Sequence, residues 1–373
     1  GTAAQARILV VPDDYPTILE ASQTAVPGDT IGVQAGEYEV NGVGILSGVS
    51  IIGLPGDSSL VRVMCNPGTG FLFDAGDLPS VVEDLELRGV FGPTYGGAVL
   101  ANWNDNLVIR RCSLVAGYNE SHRGTLVNAY GDILIEHCHI TCVGVGEVEI
   151  FKSFRYTDPF TAVMRDCLFT HDYGNGLMPT SLCPTGSHMI FENCTIMWWV
   201  APYYQYYYSD YALEFVNCIV IEMFTGVDPE YMPDVFELRY NDILNTQYGP
   251  CPECGYQEGN FSADPLFCDE AAGDYRIQAD SPCRGAGEGG ADVGARLGYC
   301  YPVAGVEPGQ GVPAPRGIRA WPNPASGEVR LALDLPPDAS AQLVVVDAAG
   351  MKVWEQEVLG AAGGRVLTWE ARS

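Results

Sequence analysis

One short pattern recurs five times between Leu107 and Ile221, and it constrains the fold more than any other feature of the chain. The copies read LVIRRCSLV, ILIEHCHIT, AVMRDCLFT, MIFENCTIM and LEFVNCIVI, and their cysteines, Cys112, Cys138, Cys167, Cys194 and Cys218, are separated by 26, 29, 27 and 24 residues. Self-similarity at such a period signals coils that bury their apolar faces by stacking on one another. Five and three residues before each cysteine stand apolar side chains (Leu107 and Ile109, Ile133 and Ile135, Ala162 and Met164, Met189 and Phe191, Leu213 and Phe215). That is the period-2 alternation of a strand with one buried face.

The alternation then slips by one. The residue before the cysteine, where inward phase would continue, is Arg111, His137, Asp166, Asn193 or Asn217. Inward phase resumes at the cysteine and at Leu114, Ile140, Phe169, Ile196 and Val220. A phase change at one fixed place in every copy predicts a bend between two short strands, and the remaining residues of each copy leave room for a third strand and variable loops. Such coils make a right-handed parallel β-helix. The leucines and helical half of a leucine-rich repeat are missing.

Forty-four glycines and 25 prolines suit a turn-rich all-β chain. A net charge of −28 disfavours nucleic acid and anionic membranes as partners, because they would be repelled with no basic patch to receive them. No apolar run approaches the roughly 18 residues of a membrane span. Gly1 to Arg7 is small and polar, as expected just after a cleavage site. The five repeat cysteines are expected to stack as buried thiols. Cys251, Cys254, Cys268, Cys283 and Cys300 sit in loop-rich sequence, where disulfides of undetermined pairing are expected.

Before the repeat, Ile8 to Pro12 reads as a first strand. PTILEASQTA follows, with Ile18, Ala21, Ser22 and Ala25 at helical spacing, which predicts a short helix capping the open end of the solenoid. Looser coils are expected around Val61 to Cys65, Phe71 to Phe73, Val82 to Gly89 and Ala98 to Ala101. The run Pro27-Gly28-Asp29-Thr30-Ile31, then Gly36-Glu37-Tyr38 and Ser50-Ile51-Ile52-Gly53, resembles the opening coil of secreted bacterial proteins of the pectate-lyase-like superfamily. Asp264-Pro265-Leu266-Phe267, Gly273-Asp274-Tyr275-Arg276, Ser281-Pro282 and Asp292-Val293-Gly294-Ala295 resemble the terminal element of the same family, here read as a last coil and C-terminal cap. The likeness implies the β-helix fold and leaves activity open, since that coil precedes lyases, hydrolases, epimerases and non-enzymes.

The expected organisation is a solenoid over 1–301, a linker over 302–315 rich in proline and glycine, and a small β-sandwich over 316–373. Trp321-Pro322-Asn323-Pro324, Leu331 and Leu333, Val344 to Asp347 with Gly350, and Val353-Trp354 resemble the sorting domain of the type IX secretion system and its relative in hook-capping proteins. That resemblance implies the secretion machinery as a partner. Members continue past the position of Trp369 with a glycine-rich turn and a last strand, so the sandwich is expected to be incomplete.

Chemistry is expected in the loops that leave each coil. Aromatic faces stack on the apolar C–H faces of sugar rings, and neighbouring polar groups meet the hydroxyls. On that basis Tyr118, His122, Arg123, Trp199, Tyr203 and Tyr204 are the candidate glycan-binding residues. Catalysis would need a base with Ca²⁺ for β-elimination, or two carboxylates for hydrolysis. Candidates are Glu120, Lys152, Arg155, His171 and Asp172, although neither the Gly-His-Gly pattern of polygalacturonases nor the Arg-x-Pro-x-x-Arg pattern of pectate lyases is present. His137, Cys138, His139 and Cys142 look like metal ligands, yet the repeat sends their side chains apart, so no metal site is assigned there. Cys251 and Cys254 lack the second pair a zinc knuckle needs.

The sequence thus reads as a secreted or cell-surface β-helix that binds an extracellular polysaccharide, with a polysaccharide lyase or glycoside hydrolase as its enzymatic form and Ca²⁺ as the cofactor of the lyase. The alternative is a structural surface or filament protein that self-associates through its tyrosine-rich loop.

Overall fold

The computed structural model describes residues 6–54, 56, 58, 60–65, 69–89, 98–117, 124–143, 148–152, 159–171, 177–178, 184–197, 211–221, 235–244 and 259–300, and strands within 318–370. The chain divides into two compact units, Gly1–Pro302 and Val303–Ser373.

The first unit is a parallel β-solenoid. Among the described residues its strands fall into sheets of ten, nine and six strands, and each strand pairs in parallel with its counterparts in the coils before and after. The five copies supply strand pairs as the alternation predicts, from Leu107–Arg110 in the ten-stranded sheet with Ser113–Gly117 in the nine-stranded sheet, to Ala212–Val216 with Ile219–Ile221. The inward positions form one core, in which Ile109, Ile135, Met164, Phe191 and Phe215 are fully buried. Phe191 and Phe215 stack at 4.8 Å between ring centroids.

The bend is a left-handed residue. Arg111, His137, Asp166, Asn193 and Asn217 have φ between 50° and 55°, and the same turn recurs outside the five copies at Asp84 and Tyr240. Non-glycine residues adopt this conformation at a cost, so it persists only where the surroundings dictate it. Here each bend N–H is held by the next coil, as His137 N–H donates to Arg165 O at 3.0 Å and Asn193 N–H to Val216 O at 2.9 Å.

Behind the bend the cysteines form a hydrogen-bonded column. Each thiol donates to a carbonyl of the preceding coil, Cys112 to Val82, Cys138 to Ile109, Cys167 to Ile135, Cys194 to Met164 and Cys218 to Phe191. Burial pushes the thiols of Cys112, Cys138 and Cys194 well above the ordinary thiol range, so they stay protonated donors. Asn241 takes the same place in the next coil, and Asn260 in the one after, its Nδ2 donating to Leu238 O.

At the start of the chain, the helix Ile18–Thr24 is capped by Thr17, whose Oγ1 accepts the Glu20 N–H at 3.1 Å. It places Ile18, Ala21 and Ala25 in the solenoid core. The Pro-Gly-Asp element has a physical reason. Gly28 takes φ +95°, and Asp29 is buried with its carboxylate accepting the backbone N–H groups of Arg7 and Val26, both at 3.0 Å, and the Arg7 guanidinium.

The terminal element of the solenoid departs from the expected cap. Phe261 adds a single parallel bridge beside Asp242. The segment then turns back and lies on the outer face of the nine-stranded sheet. Glu288 N–H donates to Asn217 Oδ1 at 2.7 Å, Gly294 N–H to Asn217 O at 2.7 Å, and Ala295 N–H to Thr195 Oγ1 at 3.0 Å. The outward row Thr195, Ile219 and Asp242 is thereby buried. A second small core of Ile219, Ile277, Cys283 and Val293 forms beneath this overlay. Cys268 and Cys300 are joined in a disulfide, whereas Cys283 is a buried thiol donating to Asp242 Oδ2 at 3.1 Å. Cys251 and Cys254 lie outside the described residues.

In the second unit, Ile318–Trp321, Glu328–Leu333 and Arg365–Glu370 form an antiparallel sheet, and Ser340–Val346 pairs antiparallel with Lys352–Leu359.

Candidate functional site

Of the three faces, that of the six-stranded sheet carries a site built from described side chains. The strand Ala98–Asn104 runs three residues beyond the Ala101 expected from sequence. Its alternation buries Asn102 and Asn104 completely and turns Trp103, between them, outward. The next coil presents Tyr130 immediately after the strand Gly124–Ala129, with Ala129 paired to Asn102. The two rings stack at 4.7 Å between centroids with 9° between their planes, both half-buried. They form a face-to-face aromatic stack that spans two coils.

The buried asparagines hold that surface in place. Asn102 Oδ1 accepts the Asn104 N–H at 2.9 Å, while its Nδ2 reaches into the next coil to donate to Gly131 O and Asp132 O at 3.2 and 3.1 Å. Asn104 Oδ1 accepts the Asn106 N–H at 2.7 Å, and its Nδ2 reaches into the two coils before, donating to Leu78 O at 3.1 Å and Ser47 Oγ at 3.2 Å. The turn bearing Trp103 is therefore bonded to coils on both sides. Buried amides with both ends satisfied rigidify a site in this way. Gly131 is required by close approach, since a Cβ there would stand 2.7 Å from Asn104 O and 2.9 Å from Asp105 Oδ1.

The rim is acidic. Asp74, Asp77, Asp105 and Asp132 are exposed on the strand ends and turns around the aromatic pair. Lys152 is the only basic residue on the described strands of this sheet, at the end of Val148–Lys152, paired with Asn128. The described arginines are engaged elsewhere. Arg62 bonds Glu86 at 2.7 Å, Arg110 bonds Glu83 at 2.8 Å and Arg165 bonds Glu192 at 2.7 Å, all on the other two sheets.

Two of the catalytic candidates fall on described backbone, and on different sheets. Lys152 lies on the six-stranded sheet, while His171 ends Leu168–His171 of the nine-stranded sheet, in register with Cys142. Glu120, Arg155 and Asp172, and the glycan-binding candidates Tyr118, His122, Arg123, Trp199, Tyr203 and Tyr204, lie outside the described residues. His137 sits exposed at its bend, Cys138 is buried, and His139 faces out to bond Thr170 Oγ1 at 2.8 Å, so these side chains do diverge. Among the described residues no three His, Cys, Asp or Glu side chains gather as a metal site. No described helix is long and apolar enough to cross a membrane.

Trp103 and Tyr130 escaped the sequence reading. The signal that could have found them is Asn102-Trp103-Asn104-Asp105-Asn106, an aromatic residue alternating with asparagines where apolar inward residues would be expected.

No sequence-family model matches the chain, and no curated protein does. Among solved structures it is similar to pectate lyase Pel9A, at 13% identity and a TM-score of 0.48 over 78% of this chain and 96% of that one. It is also similar to the pectin methylesterase PemA from Erwinia chrysanthemi, at 13% identity and 0.46 over 74% and 96%. A third likeness is to the pectin methylesterase from carrot, at 11% identity and 0.41 over 66% and 90%.

Proposed function

We propose that this chain binds an extracellular polysaccharide along the outer face of its six-stranded sheet, with Trp103 and Tyr130 as the stacking platform. The observation that carries this reading is the stacked, half-exposed pair itself. The outer face of a stack fixed by buried asparagines suits the flat C–H face of a sugar ring, and the rings are held in position before any ligand arrives, which lowers the ordering cost of binding. Exposed carboxylates and turn carbonyls nearby supply acceptors for hydroxyl groups. The disulfide Cys268–Cys300 supports an oxidising, extracellular setting. In this reading the second unit serves export or attachment, and polysaccharide processing would draw on the loops bearing Glu120, Arg155 and Asp172.

The test is binding of a panel of soluble polysaccharides, followed by calorimetry, to the full chain and to Trp103→Ala and Tyr130→Ala. Loss of one ring is expected to weaken binding about tenfold, the scale of a few aromatic contacts. A panel in which no polysaccharide binds, or in which both variants bind as tightly as the parent, overturns the proposal. Incubating the same panel with and without Ca²⁺, and following unsaturated products and reducing ends, tests for processing.

A further inference from the structure

We infer that the glycan this platform takes is cationic, a polymer of hexosamine units carrying free ammonium groups, and that it rejects polyuronates. The inference rests on the proposal that Trp103 and Tyr130 bind a polysaccharide, and it names the charge class of that ligand.

The charge distribution around the stack carries it. Asp105 lies two residues beyond Trp103, and its Oδ1 stands over Gly131, at 2.9 Å from where a Cβ would be, so this carboxylate sits between the Trp103 turn and the Tyr130 turn. Asp132 is two residues beyond Tyr130, anchored by the Thr161 N–H donating to its Oδ1 at 2.6 Å. On the other side of Trp103, Gly76 O accepts the Asp105 N–H at 2.9 Å, and Asp77 O accepts from Asn106 Nδ2 at 2.9 Å. The turns of Asp77, Asp105 and Asp132 are thus consecutive coils bonded to one another. Coils are about 4.8 Å apart, so three carboxylates and Asp74 fall within about one Debye length of the rings at ordinary salt.

No described arginine offsets them. Every described arginine side chain is bonded to a carboxylate on another part of the molecule except Arg284, which donates to Ala279 O and lies over Tyr299. Lys152 pairs in register with Asn128 one coil beyond the Tyr130 strand, and it is the one basic residue on the described strands of this sheet, against four exposed aspartates. A polyuronate would bring one negative charge per sugar into this field, where no described guanidinium stands to receive it. An ammonium gains twice, from the carboxylate rim and from the face of an aromatic ring. Recurrence of a carboxylate on three consecutive turns beside the stack suits a ligand that repeats, which favours a polymer over a single cation.

The experiment compares chitosan oligosaccharides, at a pH that keeps their amines protonated, with the fully N-acetylated oligosaccharides of equal length, oligogalacturonate and oligolysine. Binding to the full chain, Trp103→Ala, Trp103→Phe and Asp105→Asn is measured by calorimetry, with thermal melts to confirm folding. The amine form is expected to bind at least about threefold tighter than the acetylated form at low salt, an advantage of the size an exposed cation–π contact provides and one that salt diminishes. Asp105→Asn should weaken the amine form more than the acetylated form and so reduce that preference, and Trp103→Ala should weaken both where Trp103→Phe retains them. If the acetylated form or oligogalacturonate binds as tightly as the amine form, the charge inference fails while glycan binding stands. If no oligosaccharide binds in any charge state, the platform proposal fails with it. If oligolysine binds as tightly as the amine sugar and Trp103→Ala changes neither, the acidic surface alone explains the binding, and the inference is overturned.

Discussion

Asn241 stands in for a cysteine: its Oδ1 accepts the Cys218 N–H at 2.8 Å, and its Nδ2 donates to Phe215 O at 2.9 Å. In the coils before, Cys138 Sγ accepts the Cys112 N–H and Cys218 Sγ accepts the Cys194 N–H, while each thiol donates to the carbonyl three residues before the preceding cysteine. One amide thus reproduces both roles of a thiol with shorter bonds. Asn241→Ala would strand two buried backbone groups, and a loss of about 3 kcal/mol is expected in denaturant unfolding. Asn241→Cys should recover most of it, and equal stability of the two variants would show that the column contributes nothing there.

Asp29 sets an acid limit on the N-terminal coil. The Arg7 guanidinium, followed by the Val26 and Arg7 backbone N–H groups, holds its carboxyl below the ordinary carboxylate range, against the opposing effect of burial. A lowered folded-state pKa means that this stabilisation is present above the unfolded value, about 4, and is lost as pH falls below it. Melts recorded from neutral to strongly acid pH should show Asp29→Asn less stable than the parent at neutral pH, the gap closing in acid.

Asp166 has the opposite sign. Burial raises its carboxyl pKa, an effect that Arg296, at 3.4 Å, and His137 only partly offset. Its ionisation in the folded state therefore removes stability as pH rises through the raised value. The same left-handed bend position holds asparagine at Asn193 and Asn217. Asp166→Asn is expected to raise the melting temperature at neutral pH and to lose that advantage in acid. A variant less stable than the parent at neutral pH would place the Arg296 contact above desolvation.

Gly294 seats the overlay on the nine-stranded sheet. Its φ is +97°, and a Cβ would fall 2.6 Å from Ile219 Cδ1 and 2.9 Å from Thr195 Oγ1. Gly294→Ala should lift the overlay at a cost of about 2 kcal/mol and speed labelling of the Cys283 thiol by disulfide reagents. Opening the 32-residue Cys268–Cys300 loop by Cys300→Ser should act in the same direction by about 3 to 4 kcal/mol of loop entropy. Unchanged labelling in both variants would show that the overlay does not depend on these contacts.

Gly131→Ala is expected to displace the Asp105 carboxylate and to part the two stacked rings. The readout is tryptophan fluorescence of the Trp103–Tyr130 pair together with the melting temperature, which should fall by a few degrees for a loss of about 1 to 2 kcal/mol. An unaltered spectrum would show that the turn absorbs the methyl group elsewhere.

The first two strands of each coil were legible because their side chains alternate on a fixed period, and the slip at Arg111, His137, Asp166, Asn193 and Asn217 marked a bend, whose left-handed conformation only the backbone shows. The third strand was legible only in part: Phe71 and Phe73 marked it in one coil, but in the next Asn102 and Asn104 occupy inward positions where an apolar rule finds nothing, and the outward Trp103 between them loses its pattern. The overlay was recognised as a family element yet placed as a cap. Its fixing contacts, Glu288 to Asn217 and Ala295 to Thr195, join residues 71 and 100 apart, and no local period encodes them.

Those long contacts impose an order of events. Coil-to-coil bonds join residues roughly 24 to 30 apart and can be laid down one after another as the chain emerges. The overlay can close only once Ala295 has followed Thr195 by a hundred residues, so the last coils begin life with Ile219 facing water and acquire their cover late. Hydrogen exchange during refolding should therefore protect Ile135 and Met164 well before Glu288, Gly294 and Ala295, whose amides bond across to the sheet. The overlay thus acts on the unfolding rate more than on the folding rate, a latch that forms after the transition state and slows the unwinding of the coils beneath it.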